Sequence, residues 1–157
     1  MDRQRSVSAA EFKAMAGQEI GVSQWIEVTQ AKINAFADVT GDQQFIHVDP
    51  ERASRETPFG GAIAHGFLTL SLLSAMGMDV LPRVKGITMS VNYGFDKLRF
   101  LSPVPAGSRV RGRFRLLEAE ERAAGELTLK YKVEVEIEGA EKAALAAEWL
   151  TRQYFRA

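Results

Sequence analysis

"HGFLTLSLLSAMGM", residues 65–78, is the stretch on which the fold turns. Its residues are apolar or small almost all the way round, so a helix built from it has no polar face for water and belongs in the interior. A buried helix needs a second layer broad enough to cover it. The C-terminal half supplies one. In "ELTLKYKVEVEIE" (126–138), Leu127, Leu129, Tyr131, Val133, Val135 and Ile137 face one way, and Lys130, Lys132, Glu134, Glu136 and Glu138 the other. That period of two is the pattern of a long, half-buried antiparallel strand. "RVRGRFRLLEAE" (109–120) also alternates, with Arg109, Arg111, Arg113 and Arg115 on one face. Opposite charges on neighbouring strands can pair with that stripe, which otherwise reads as a solvated face. "SVNYGFDKLRF" (90–100) and "AALAAEWLTRQYF" (143–155) add two strands, with turns at 102–108, 123–125 and 138–141. One buried helix before a meander of four long antiparallel strands gives an α+β class, with the sheet curved around the helix.

The N-terminal half reads as short helices separated by clear stops. Ser8 and Glu11 have the spacing of a capping box, predicting a helix to about Met15 that Gly17 ends. "WIEVT" (25–29) predicts a brief strand, with Thr29 capping the next helix. Over 30–40, Ile33, Phe36, Ala37 and Thr40 fall at helical spacing, and Gly41 sits where a C-terminal stop belongs. Residues 41–49 read as a loop. Asp49-Pro50 then restarts a short helix, and the Gly- and Pro-bearing 57–64 forms another loop. Without repeats or a low-complexity linker, the expected organisation is one domain over 20–157, preceded by an extension over 1–19 with its short helix.

Bulk properties remove several classes of function. The 157 residues carry 20 basic and 20 acidic side chains, so there is no basic footprint for nucleic acid or an acidic membrane. There is no cysteine, which excludes disulfides, thiolate metal sites and a cysteine nucleophile. Residues 1–19 hold no apolar run of signal-peptide length, and no stretch approaches a bilayer span. The expectation is a cytoplasmic protein with no membrane partner. Two histidines without cysteine give a metal site little support, and neither a GxSxG nor a phosphate-binding glycine loop is present.

Chemistry therefore falls to few residues. Asp42 and His47 flank "QQFI" after a terminated helix. A turned loop brings both side chains to one water, where a carboxylate and an imidazole can divide proton removal and delivery. The plainer reading makes Asp42 a turn cap and His47 an imidazole at the core edge; spacing alone favours it. Gly66 would lie in the first turn of the buried helix, where backbone N–H groups lack intrahelical partners and suit a thioester oxygen gaining negative charge. Its plainer role is tight packing, and that of His65 a helix cap. Phe67, Leu70, Leu73, Met76 and Met78 read as core, part of which could line an acyl tunnel.

Two segments carry a family likeness. "FADVTGDQQFIHVDPERA" (36–53), followed by "GGAIAHGFLTLSL" (60–72), resembles the MaoC-like (R)-specific enoyl-CoA hydratase family, and "YGFDKLRFLSPVPAGSRVRG" (93–112) resembles its strand–turn–strand. The resemblance spans about residues 20–155. It implies a hotdog fold, usually a homodimer and in places a higher oligomer, with no cofactor. It also implies reversible addition of water to a trans-2-enoyl-CoA or acyl-carrier-protein thioester, in fatty acid metabolism. Carried over by position, Asp42 and His47 match the catalytic pair, in either division of base and acid, and Gly66 the oxyanion-hole N–H. His65, Gln44 and Phe45 are candidates for binding substrate or shaping the loop. The family pattern has Asn-Pro where Gln44 and Phe45 stand here, and a variant resembling nodulation protein N shares the Gln-Gln-aromatic form. That departure keeps two alternatives in view: a non-catalytic acyl-thioester-binding subunit, and a thioesterase on the same fold.

Overall fold

In the computed structural model, which describes residues 4–156, the apolar helix and the long strands pack face to face. In chain order the elements are β1 (Ser6–Val7), α1 (Ala9–Lys13), β2 (Glu19–Val22), β3 (Ile26–Glu27), α2 (Gln30–Thr40), α3 (Phe45–Val48) and α4 (Pro50–Glu56). Then come α5 (Gly66–Ser71), α6 (Leu73–Val80), β4 (Arg83–Val84), β5 (Ile87–Phe100), β6 (Arg109–Ala123), β7 (Glu126–Ile137) and β8 (Leu145–Phe155). The main sheet has the order β2-β6-β7-β8-β5, with β3 also on β6, and every pair is antiparallel. This is the α+β hotdog arrangement, a sheet laid around a central helix. No described helix is long and apolar enough to cross a membrane.

The local signals act as expected at most helix ends. The Ser8–Glu11 capping box forms at α1. Thr29 accepts from the Lys32 N–H at the start of α2, and Gly41 ends that helix in the left-handed region at φ 79°. Asp49 accepts from the Arg52 N–H, with Pro50 in the first turn of α4. Residues 1–3 of the expected extension lie outside the described residues. The rest packs into the same core, where Phe12 is wholly buried beside Tyr131.

Three expectations change. First, the strands are not a four-strand meander: β5 pairs with β8 at the far edge, and only β6, β7 and β8 run consecutively. Residues 101–106 carry the chain across, and Pro103 and Pro105 cannot donate to a ladder that would continue β5 into β6. The crossing segment bonds instead to the stretch before α5, through Ala64 N–H to Val104 O (2.8 Å) and Ala106 N–H to Ala62 O (2.9 Å). Second, the central helix is split. At Leu72 ψ opens to −15°, separating α5 from α6. It is also not covered on every side: Leu68, Thr69, Leu73, Met76 and Gly77 are buried, whereas Phe67 and Met78 stand 65% and 75% exposed. Third, residues 45–48 form a helical turn inside the expected loop.

The helix meets the sheet where glycine permits it. A Cβ on Gly112 of β6 would lie 2.8 Å from the Phe114 ring and 2.9 Å from the Met76 sulfur. A Cβ on Gly21 of β2 would lie 2.6 Å from a Val80 methyl. Phe114, Tyr131 and Trp149 fill the contact as a set of tilted and edge-on rings. Burial pushes the Tyr131 phenol pKa up, against a smaller opposing effect of its hydrogen bond with Thr151. On the other face, Arg111 and Arg113 both donate to Glu136, at 2.7 and 2.8 Å, while Arg109 pairs with Glu138 and Arg113 with Glu19. Partial burial alone would raise the Glu136 pKa, and the two arginine bonds reverse that, leaving it below the usual carboxylate value. Three arginines of the stripe thus form a cross-strand ladder, while Arg115 donates to Gly17 O at 2.7 Å.

Candidate active site

The site is built where two chain reversals meet. α2 stops at Gly41, whose N–H closes on Ala37 O at 2.8 Å. Asp42 follows in an exposed turn, its Oδ1 accepting from the Gln44 N–H at 3.3 Å. The turn leads directly into α3, which delivers His47 to the interior, 7% exposed. Three contacts hold that helical turn. Ile63 N–H donates to Ile46 O at 3.0 Å, Gln30 Nε2–H donates to His47 O at 2.7 Å, and His47 Nδ1 lies 2.7 Å from Ile63 O. A carbonyl can only accept, so His47 donates through Nδ1–H, and in the neutral imidazole the lone pair is then on Nε2. A short helix in place of a plain loop therefore turns sequence spacing into proximity.

His65 arrives from the other side, at the residue before α5. Its side chain makes no capping bond. It is 2% exposed, and its Nε2 lies 3.0 Å from the Asp42 carbonyl. The same logic assigns the Nε2–H tautomer, and Nδ1 is buried without a hydrogen-bond partner. The two imidazoles stack with centroids 3.9 Å apart and planes 24° apart, and the Phe36 ring lies tilted against His65 with centroids 4.9 Å apart. One ligand atom each from Asp42, His47 and His65 lie within 4.8 Å of one another. Such a trio invites comparison with a metal site, but an imidazole lone pair lies in its ring plane. Near-parallel rings aim their lone pairs side by side, not at one point, so the geometry suits proton handling better than chelation.

A cavity of about 390 Å³ opens against this group, with His47, Ile63, Gly66, Thr69 and Phe100 among its walls. Gly66 is the first residue of α5, so its N–H has no intrahelical acceptor. The Phe100 ring lies so close that a Cβ at Gly66 would sit 3.0 Å from it. The structure thus brings together Asp42, His47, His65 and Gly66. Of these four only His47 and Gly66 line the cavity itself, with Asp42 exposed and His65 buried behind them. Gln44 is also exposed, and Phe45 packs under the Arg52 guanidinium at 4.0 Å, away from the acid–imidazole group. A second hollow of about 640 Å³ lies between α6 and β5, bordered by Met78, Val91 and Trp149, and touches none of the acid–imidazole group.

Sequence reasoning missed Gln30, Thr69 and Phe100. Thr69 had a signal, a hydroxyl placed three residues after Gly66 on an otherwise apolar helix face. Gln30 had none, because its partner is a backbone carbonyl 17 residues away.

Comparison with known proteins gives a consistent picture. Residues 11–137 match the family model described as "MaoC like domain". Nodulation protein N of Rhizobium meliloti (strain 1021) is 54% identical over 149 residues, 95% of this chain and 92% of that protein. The 3-hydroxyacyl-thioester dehydratase Z of Mycobacterium tuberculosis (strain ATCC 25618 / H37Rv) is 46% identical over 145 residues, 92% of this chain and 95% of that one. Among solved structures, the (R)-hydratase from A. caviae involved in PHA biosynthesis superposes with a TM-score of 0.70 at 26% identity, covering 87% of this chain and 94% of the other.

Proposed function

The chain belongs to the MaoC-like domain family, and from that premise we propose that it reversibly hydrates a trans-2-enoyl thioester to an (R)-3-hydroxyacyl thioester. One observation carries the reading. His47, its Nδ1 engaged by Ile63 O, has a ring nitrogen within 4.8 Å of an Asp42 carboxylate oxygen and stands on the wall of an apolar cavity that also holds the first-turn N–H of Gly66. In the proposed reaction the acyl thioester lies in the cavity with its carbonyl oxygen toward that N–H. A water held by Asp42 and His47 adds its oxygen to C3 as the C2=C3 π pair moves toward the thioester. The resulting negative charge falls on the carbonyl oxygen, where a preorganised donor stabilises it. Between them the two side chains take the proton from the water and return one to C2, so no redox partner or cofactor is required.

The substrate is an acyl thioester of coenzyme A or of a carrier protein. The second copy expected from the resemblance would dock on β5, whose outer edge has no neighbouring strand among the described residues and which carries exposed Met89, Val91 and Tyr93. The test is a chain-length series of trans-2-enoyl-CoA substrates, followed by loss of ultraviolet absorbance of the enoyl thioester and, in parallel, by a free-thiol assay. Hydration without thiol release is expected. Thiol release would replace the reading with a thioesterase, and binding without turnover at any chain length would replace it with a non-catalytic acyl-binding subunit.

A further inference from the structure

The His65 side chain touches both members of the proposed catalytic pair. It bonds to the backbone of Asp42 and stacks on the ring of His47. The loop's other bonds run to sequence neighbours, from Gln43 Nε2–H to Asp38 Oδ1 at 2.8 Å and from His47 N–H to Gln44 O at 3.0 Å. Asp42 lies immediately after a left-handed glycine, is exposed, and its other hydrogen bonds are long and local: its N–H to Thr40 Oγ1 at 3.4 Å and its Oδ1 from Gln44 N–H at 3.3 Å. Among the described residues, the His65 bond is the one hydrogen bond of Asp42 to a residue distant in sequence, 23 positions away. The chain also lacks a proline at position 45 that would stiffen the loop by fixing φ.

The cost of this arrangement shows that His65 is not there as filler. A serine or asparagine at position 65 would cap α5 and satisfy one of its N–H groups. The imidazole instead turns back toward Asp42, leaving the helix without a side-chain cap and its own Nδ1 buried without a partner. A buried acceptor left empty is unfavourable, and what the structure gains in return is the Asp42 tether and a ring face that stops His47 from rotating. The His65 ring thus packs against two rings, stacked on His47 and tilted against Phe36.

We propose that His65 is a positioning residue: its Nε2–H bond to the Asp42 carbonyl and its stacking on His47 hold acid and imidazole on the same water. The kinetic consequence rests on the hydratase reading above, whereas the structural consequence does not. The two nitrogens give a way to separate the tether from mere packing. In His65→Gln the amide N–H falls near the Nε2 position and keeps the donor. In His65→Asn it falls near Nδ1 and does not reach Asp42, and in His65→Phe the ring remains without any donor.

In the full-length protein, His65→Asn and His65→Phe are expected to lower kcat for enoyl-CoA hydration about 10- to 100-fold while KM stays within about threefold, with His65→Gln returning kcat to within about threefold of wild type. Backbone order parameters for residues 41–44, measured on the same three variants, are expected to fall in the Asn and Phe forms and recover in the Gln form. Wild-type kcat and loop order in both His65→Phe and His65→Asn would overturn the proposal. So would an equal loss in all three variants with unchanged loop order, since His65 would then act only as a packed ring. If the wild-type protein hydrates no enoyl thioester yet loop order still follows the donor, the hydratase reading fails and the tether stands.

Discussion

The arginine face of the sheet and the Asp42–His47–His65 corner both gather titratable side chains, and they use them in opposite ways. On the sheet, Arg111 and Arg113 close on Glu136 and Arg109 on Glu138, and the neighbouring strands fix the spacing. Arg109, Arg111 and Arg113 are thereby each engaged by an acidic partner and are not free to act on a substrate. In the corner, no described cation pairs with Asp42, the neutral His47 imidazole has its lone pair on Nε2, and His65 carries an unpartnered Nδ1. Hydrogen-bonding capacity left over beside an apolar cavity is what separates a place for chemistry from a place for stability.

That contrast predicts a separation of effects. Asp42→Asn and His47→Asn should lower the hydration rate by about 10²- to 10⁴-fold. The melting temperature should move by no more than about 4 °C, because Asp42 is exposed and asparagine at 47 keeps a donor for Ile63 O. Phe114→Ala should do the reverse, losing about 3–5 kcal/mol in a urea titration while the folded fraction stays active. A site variant that unfolds the protein, or a core variant that abolishes activity while folded, would break the comparison. Gly66→Ala probes the boundary between the two regions. Its new methyl meets the Phe100 ring, and a rise in KM of about tenfold is expected if that ring must move into the substrate cavity.

Two smaller effects sharpen it. Val91→Lys places a charge on β5, and if the proposed second copy docks there, sedimentation should show the variant shifted toward monomer relative to wild type with secondary structure unchanged. Glu136→Gln should cost less than about 1 kcal/mol at neutral pH, since the pair is partly solvated. Its pH dependence has a definite sign. The folded-state pKa of Glu136 is depressed, so its contribution is complete above the ordinary value of 4.5 and is lost as pH falls through the lower folded value. Denaturation profiles of wild type and Glu136→Gln should therefore converge on acidification.

Most of the fold was legible because its signals are local and periodic. The alternation from Leu127 to Ile137 marks β7, and Gly41, Asp49 and Pro50 mark helix boundaries that the structure reproduces. The position of β5 was not legible. Its own pattern reads as a strand, but whether it neighbours β6 or β8 depends on how Pro103 and Pro105 send the chain over the end of the sheet, which no strand period encodes. The candidate site was legible in its residues and not in its geometry. Asp42, His47, Gly66 and His65 were all visible as candidates. That α3 would turn His47 inward, and that His65 would reach Asp42 and not cap α5, depends on contacts across 16 and 23 residues of chain. The Gln44 and Phe45 variation, prominent in sequence, lies on the outer side of the loop, with Phe45 against Arg52.

The most direct test of the account is chiral analysis of the product formed from a trans-2-enoyl-CoA by wild-type protein and by Asp42→Asn at equal concentrations. The expected result is an (R)-3-hydroxyacyl-CoA from wild type and almost none from the variant. An (S) product, or undiminished hydration by Asp42→Asn, would contradict it.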